Sequence, residues 1–207
     1  MASPTYPLTM PTTPGFTTSE WQIVRQVSMT QSPFTMAQQV AEFQGAVWTT
    51  TVSLPPMTRS QAGVWQAFFM QLHGRSGTFL IGDPDGQSLL GSLTNTIQVN
   101  GDHSVGAFDI SIDGADASTV IFKAGDYVQF GSGASSKLHM IISDVTSDSS
   151  GNATLPVEPP LKSSLSDDAS IVTSSTKAVM RMNSNELGWS ASRISLYGIS
   201  FACTESL

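Results

Sequence analysis

The chain has 207 residues, enough for one large or two small domains with real cores, and only 12% of them are charged. Its net charge of -7 and pI of about 4.7 leave no basic patch to neutralise phosphates, which excludes a nucleic-acid surface. Its apolar runs are too short to span a bilayer, so no membrane insertion is expected.

The low charge, with Ser, Thr, Gly and Gln filling the space, suits a protein buried among neighbours better than a free enzyme. The N-terminus, MASPTYPLTMPTTPG, has neither the charged region nor the continuous apolar stretch of a secretion signal. The single cysteine, Cys203, rules out an internal disulfide framework and fits a reducing compartment. It reads as a small core residue near a strand end.

Residues 1–18 are rich in Pro and Thr without periodicity, and read as an extended arm ordered only where a neighbour holds it. Trp21 to Met29 reads as a strand, and Phe34 to Phe43 as a second, with Gly45 as the turn into a third. That third strand runs from Ala46 to Leu54, with Trp48, Thr50, Val52 and Leu54 on one face. Pro55 and Pro56 end it. Thr58 and Gln61 have the spacing of a capping box, with Met57 and Ala62 placed as a staple. Ala62, Trp65, Phe69 and Leu72 then form the apolar stripe of a helix, closed by Gly74 and Gly77. Thr78 to Ile81 follows as a short strand, giving about four strands and one helix by residue 84.

Composition shifts at Asp83-Pro84-Asp85-Gly86. From there to about Ser170 short alternating runs recur: Ala107 to Asp113, Tyr127 to Phe130 and Lys137 to Val145. Asp148 to Asn152 (DSSGN) reads as a hairpin turn, and Ala153 to Glu158 as its return strand, stopped by Pro159-Pro160. This stretch holds eleven of the sixteen acidic residues against three lysines, marking an inserted all-β module. Strands resume at Ile171 to Thr173, Lys177 to Met182, Trp189 to Ala191 and Ile194 to Cys203. The last is apolar on both faces and reads as a central, doubly covered strand that completes the first domain. The expected fold is mainly β with one helix, a split β-sandwich or barrel carrying an inserted small β-domain.

No pattern of catalytic chemistry stands out. His73, His103 and His139 lie in separate segments, without the paired spacing of a zinc site. His139 alternates with apolar residues and reads as a strand residue facing polar surroundings. There is no nucleophile elbow, phosphate loop or dinucleotide fingerprint. Asp109-x-Ser-x-Asp113-Gly114 resembles the first half of a calcium loop, but its twelfth position is Val120 and its flanks alternate as strands. Carboxylate pairs for glycoside hydrolysis could be drawn from residues such as Asp109 and Asp126, although most Asp residues sit beside Gly or Ser, as in turns. Trp48 and Trp65 could stack sugars, but lie on apolar faces and read as core. No catalytic, cofactor-binding or metal-binding residue is assigned, no cofactor is expected, and the chain does not read as an enzyme.

The run VSLPPMTRSQAGVWQAFFMQLHGRSGTFLIGDPDG, followed by Lys123 to Gly131 (KAGDYVQFG), Ser147 to Leu161, Lys177 to Met182 and the closing LYGISFACTESL, resembles the distal tail proteins of long-tailed bacteriophages. The resemblance covers about residues 20–207. It implies a belt domain, residues 19–84 plus 176–207, that forms a ring coaxial with the tail tube, a hexamer more than a trimer. It also implies an N-terminal arm over residues 1–18, laid as a strap on a neighbouring subunit. Residues 85–175 would be an outward-projecting β-domain of galectin-like or OB-like type. The implied partners are the tail tube protein, the hub and other tail-tip proteins. The implied place is the virion tail tip, after synthesis in the host bacterial cytoplasm. The alternative role is a host-recognition module in which residues 85–175 bind a surface glycan; the family's insert varies too widely to carry a sugar site over to any residue.

Overall fold

The computed structural model describes residues 4–192 and 196–207. The first two strands, β1 (Thr18–Gln31) and β2 (Gln38–Ser53), form one long antiparallel hairpin, rich in the Val and Thr that favour extended backbone. The turn lies at residues 32–37, so the region expected to hold two separate strands around Gly45 is one continuous strand. Gly45 sits inside β2 against the Gln26 side chain, where the register shifts between Arg25 and Val27. A glycine in such a strand marks a bulge as readily as a turn.

Helix α1 (Arg59–Leu72) starts as its sequence dictates: the Thr58 N–H donates to Gln61 Oε1 at 3.1 Å. Ala62, Trp65, Phe69 and Leu72 are buried, and Phe68 widens their stripe. The helix ends on His73, which takes the left-handed cap itself at φ 51°, with Gly74 following at φ 66°. Strand β3 (Phe79–Ile81) comes next, so the first 84 residues hold three strands rather than four.

The middle of the chain supplies β4 (Gln98–Val99), β5 (Asp109–Asp113), β6 (Val120–Phe122), β7 (Tyr127–Phe130), β8 (Lys137–Ile141), β9 (Val145–Thr146), β10 (Ala153–Glu158) and β11 (Ile171–Val172). The stretch read as one run, Lys137 to Val145, is two strands, β8 and β9. Asp148 closes the DSSGN turn, its N–H donating to Asn152 O at 2.8 Å, with Gly151 at φ 81°. The chain ends with β12 (Ala178–Met182), β13 (Trp189–Ala191) and β14 (Tyr197–Glu205). Ile194, the expected start of the last strand, lies outside the described residues.

Two sheets result. The first runs β1-β2-β14-β12-β3, with β13 paired to β14, and is antiparallel throughout. The last strand, β14, is therefore central. It is not covered on both faces: Ile199, Phe201, Cys203 and Glu205 are buried, while Ser200 is exposed. Helix α1 lies on the buried face, with Phe69 stacked edge-on against Phe201 at 5.0 Å and Phe68 against Phe79 at 5.6 Å.

The second sheet runs β11-β7-β8-β10-β5-β4. A bridge from Gln98 to Ser170 brings β4 back to the residue before β11, so this sheet nearly closes into a barrel. All its strands lie between β3 and β12 in sequence. The two links into it run side by side at Gly82, whose backbone leaves no room for a Cβ beside the Thr176 carbonyl. The fold is mainly β, with one α-helix among the described residues.

The barrel has its own core of Ile110, Ile112, Val128, Phe130, Leu155 and their neighbours. Strands β7 and β8 also turn Tyr127 and Leu138 the other way, into the core under α1. That explains why all four residues of β7 are buried although its sequence alternates.

The N-terminal segment differs from expectation. It packs on its own chain: Leu8 bridges Phe79 in parallel, the Tyr6 hydroxyl donates to Gln71 O at 2.8 Å, and Phe16 lies 6.2 Å from Trp65. Four apolar side chains (Tyr6, Leu8, Met10 and Phe16) anchor it to the first core. Tyr6, Leu8 and Met10 alternate at period two, but Pro4, Pro7, Pro11 and Pro14 among them mask that strand signal.

Candidate assembly surface

The residues with chemical potential are occupied by structural tasks. Asp126 is buried, and its oxygens accept the N–H groups of Leu90 at 2.6 Å, Lys123 at 2.8 Å and Gly91 at 3.2 Å. Asp116 accepts from the Thr94 hydroxyl and from the Thr94 and Asn95 N–H groups, and these bonds hold its carboxyl below the usual range. Asp148, bonded to Ser150 and Asn152 within its turn, is lowered in the same way. Asp102, Asp144 and Asp167 each accept a backbone N–H in the loops of the barrel. The acidity of this region is thus largely the chemistry of its turns. Asp109 lies on β5 opposite Pro156, in a strand whose Ile110 and Ile112 are buried and whose Asp109, Ser111 and Asp113 share the other face. Among the described residues, no three His, Cys, Asp or Glu side chains converge.

The histidines are equally dispersed. His73 caps α1, and the His103 Nε2 accepts the Ser111 N–H at 3.2 Å. His139 does not face polar surroundings. It is fully buried against Phe130, its Nδ1–H donates to Pro159 O at 2.6 Å, and its Nε2 is without a partner. Burial lowers its pKa to about 4, so the ring is neutral. Trp48 and Trp65 are both core residues.

A set of buried polar contacts ties the barrel to the first sheet. The Glu205 carboxylate at the end of β14 pairs with the Lys162 ammonium and accepts the Trp48 N–H at 3.1 Å. The Trp48 indole N–H donates to Leu138 O at 2.9 Å, and Lys137 Nζ to Ser206 O at 2.7 Å. Burial pulls the pKa of Lys162 down, and the Glu205 charge offsets part of that. At the periphery Arg25 reaches Glu158 at 2.8 Å. Tyr127 donates to Asp83 at 3.3 Å, and burial with the Asp83 charge pushes its phenol up to about 12.

The unaccounted surface is the outer half of the β1–β2 hairpin. Of the 22 residues from Val24 to Gly45, only Ser32 is less than exposed. Cross-strand pairs define its two faces. Val27 opposite Glu42 and Met29 opposite Val40 continue the parity of Trp21 and Ile23, the core face of β1. The other face carries Ser28 opposite Ala41 and Thr30 opposite Gln39. The ribbon runs about 17 Å past the bulge, at roughly 3.4 Å per residue. Its large apolar side chains stand in solvent: Phe34 is 94% exposed, Met36 68%, Val40 62% and Met29 59%. From Gln26 to Ala41 there is no charged residue. Free ribbon edges are ordinarily protected by charge, Pro or a cover, and a lone two-stranded ribbon is marginally stable in water. This one is built like buried structure.

The sequence signal for this surface was present as uncharged strands with period-two apolar residues. The same signal describes a core strand, and only the fold reveals that nothing covers it. No helix among the described residues is long and apolar enough to cross a membrane. No known protein-family model matches the chain, and no characterised protein matches it in sequence.

Proposed function

We propose that the chain is a structural, non-enzymatic subunit of a bacteriophage tail tip, of the distal tail type, that assembles into a ring joining the tail tube to the hub. The observation that carries this reading is the outer hairpin, which is uncharged from Gln26 to Ala41 and stands its apolar side chains in solvent. Its extent suits a protein–protein interface, which takes about 20–30 residues a side. The carboxylates spent on backbone N–H groups, such as Asp126 and Asp116, support a scaffold reading over a hydrolase. The resemblance of residues 20–207 to distal tail proteins supplies the setting: a ring of six in the virion, with the near-closed barrel as its attached module.

Electron microscopy of the purified full chain tests the reading. A closed ring with an open axis, alone or after addition of the neighbouring tube or hub protein, is the expected result. A particle that stays monomeric at high concentration, with and without those proteins, contradicts it.

A further inference from the structure

The hairpin tip has a counterpart at the far side of the same sheet. Between the N-terminal segment and β3 lies an open groove of about 390 Å³, lined by Met10, Pro14, Phe16, Leu80, Ile81 and Pro84 among others. Lys177 is the one charged residue in its lining. The N-terminal segment, whose residues 9–12 and 14–16 form one wall, carries no charge from residue 4 to 19. In the strand order, β1 stands at one edge of the sheet and β3 at the other.

We propose that the Phe34–Met36 tip of one copy seats in the groove between the N-terminal segment and β3 of the next copy. This rests on the ring reading and adds which two surfaces meet. The tip and the groove match in polarity: both are largely apolar, the tip carries no charge and the groove lining only Lys177, so the contact desolvates at most one ion. A chain cannot fill its own groove with its own tip, because the two lie at opposite edges of one sheet. A second copy brings the tip that the first copy's groove lacks, and leaves its own groove open for a third. Such head-to-tail contact between two different patches generates a ring when the rotation closes. The extent of the exposed ribbon, 21 of 22 residues, is that of one side of a standard interface. The arm would then act from within its own subunit, as one wall of the socket, rather than as a strap over its neighbour.

Disulfide trapping tests this. Thr35, beside Phe34 in the tip, and Thr12 are both exposed, and the native Cys203 is buried with its thiol pushed up to about 12, so it does not compete. The full chain carrying Thr35→Cys and Thr12→Cys, with Phe34 kept, is oxidised mildly and run on a non-reducing gel, beside each single variant and beside Thr35→Cys paired with Ser150→Cys on the barrel turn. The expected result is a covalent ladder from the first pair alone, and a heterodimer when the two single variants are mixed. A ring by light scattering without the ladder overturns the tip-in-groove contact and leaves the ring reading standing, the groove then holding some other partner. A monomer by light scattering, with and without the neighbouring tube or hub protein, overturns both. As a second readout, Phe34→Ser is expected to weaken self-association at least tenfold; an unchanged association constant counts against the proposal.

Discussion

The inner and outer halves of the β1–β2 hairpin are the same two strands with the same side-chain parity, yet opposite fates. In the inner half Trp48, Thr50 and Val52 are buried under α1 and beside β14. In the outer half Val27, Met29 and Val40 continue that parity into solvent. The difference is one of cover. The inner half has a helix, a central strand and the barrel against it; the outer half extends past all three. An apolar stripe that runs beyond its own core identifies where a neighbour belongs, and period two alone cannot tell the halves apart.

Breaking the inner half is expected to have the largest effect. Trp48→Ala removes a buried indole and its bond to Leu138 O, and should cost about 5 kcal/mol in urea unfolding of the full chain. Glu205→Leu leaves Lys162 buried beside Lys137 without a counter-charge and deprives the Trp48 N–H of its acceptor; a loss of about 4 kcal/mol is expected in the same assay. If either variant unfolds at the wild-type midpoint, the inner half is not held as described.

The pH dependence comes next in size. His139 has a folded pKa of about 4 against an ordinary value of 6.5. Between these values the unfolded chain binds the proton and the folded chain does not, so stability falls as pH drops from 6.5 toward 4. That contribution amounts to about 3 kcal/mol, all of it present above pH 6.5 and lost below 4. Unfolding curves across this range should show the loss, and His139→Leu should flatten it. A slope that His139→Leu leaves unchanged would assign it to other groups.

The smallest expected effect on the monomer belongs to the outer half. Val27→Ser, Met29→Ser and Val40→Ser lose only exposed cross-strand contacts within the hairpin, and each should shift stability by no more than about 0.5 kcal/mol.

How much of this was legible in the sequence follows from the same contrast. The inward face of β2, the helix stripe, the DSSGN turn and the Pro159-Pro160 stop are local signals, and they sit where their residues put them. Gly45 was not legible as a bulge, because glycine serves bulge and turn alike. The docking of Tyr6, Leu8, Met10 and Phe16 was hidden because four prolines break up the period-two run of the first three. His139 sits in a strand of ordinary alternation; what buries it is the chain around Pro159, twenty residues away and brought there only by the fold. Exposure of the outer ribbon was the least legible of all, since it depends on where the rest of the chain stops.

The most direct test of the central claim is the mass in solution of the Val27→Ser/Met29→Ser/Val40→Ser variant beside the wild type, by sedimentation at matched concentration. The account predicts an oligomer for the wild type, alone or with the neighbouring tube or hub protein added, and a monomer for the variant under the same conditions. An oligomer of the same mass in both would contradict it, since the exposed ribbon would then have no part in assembly.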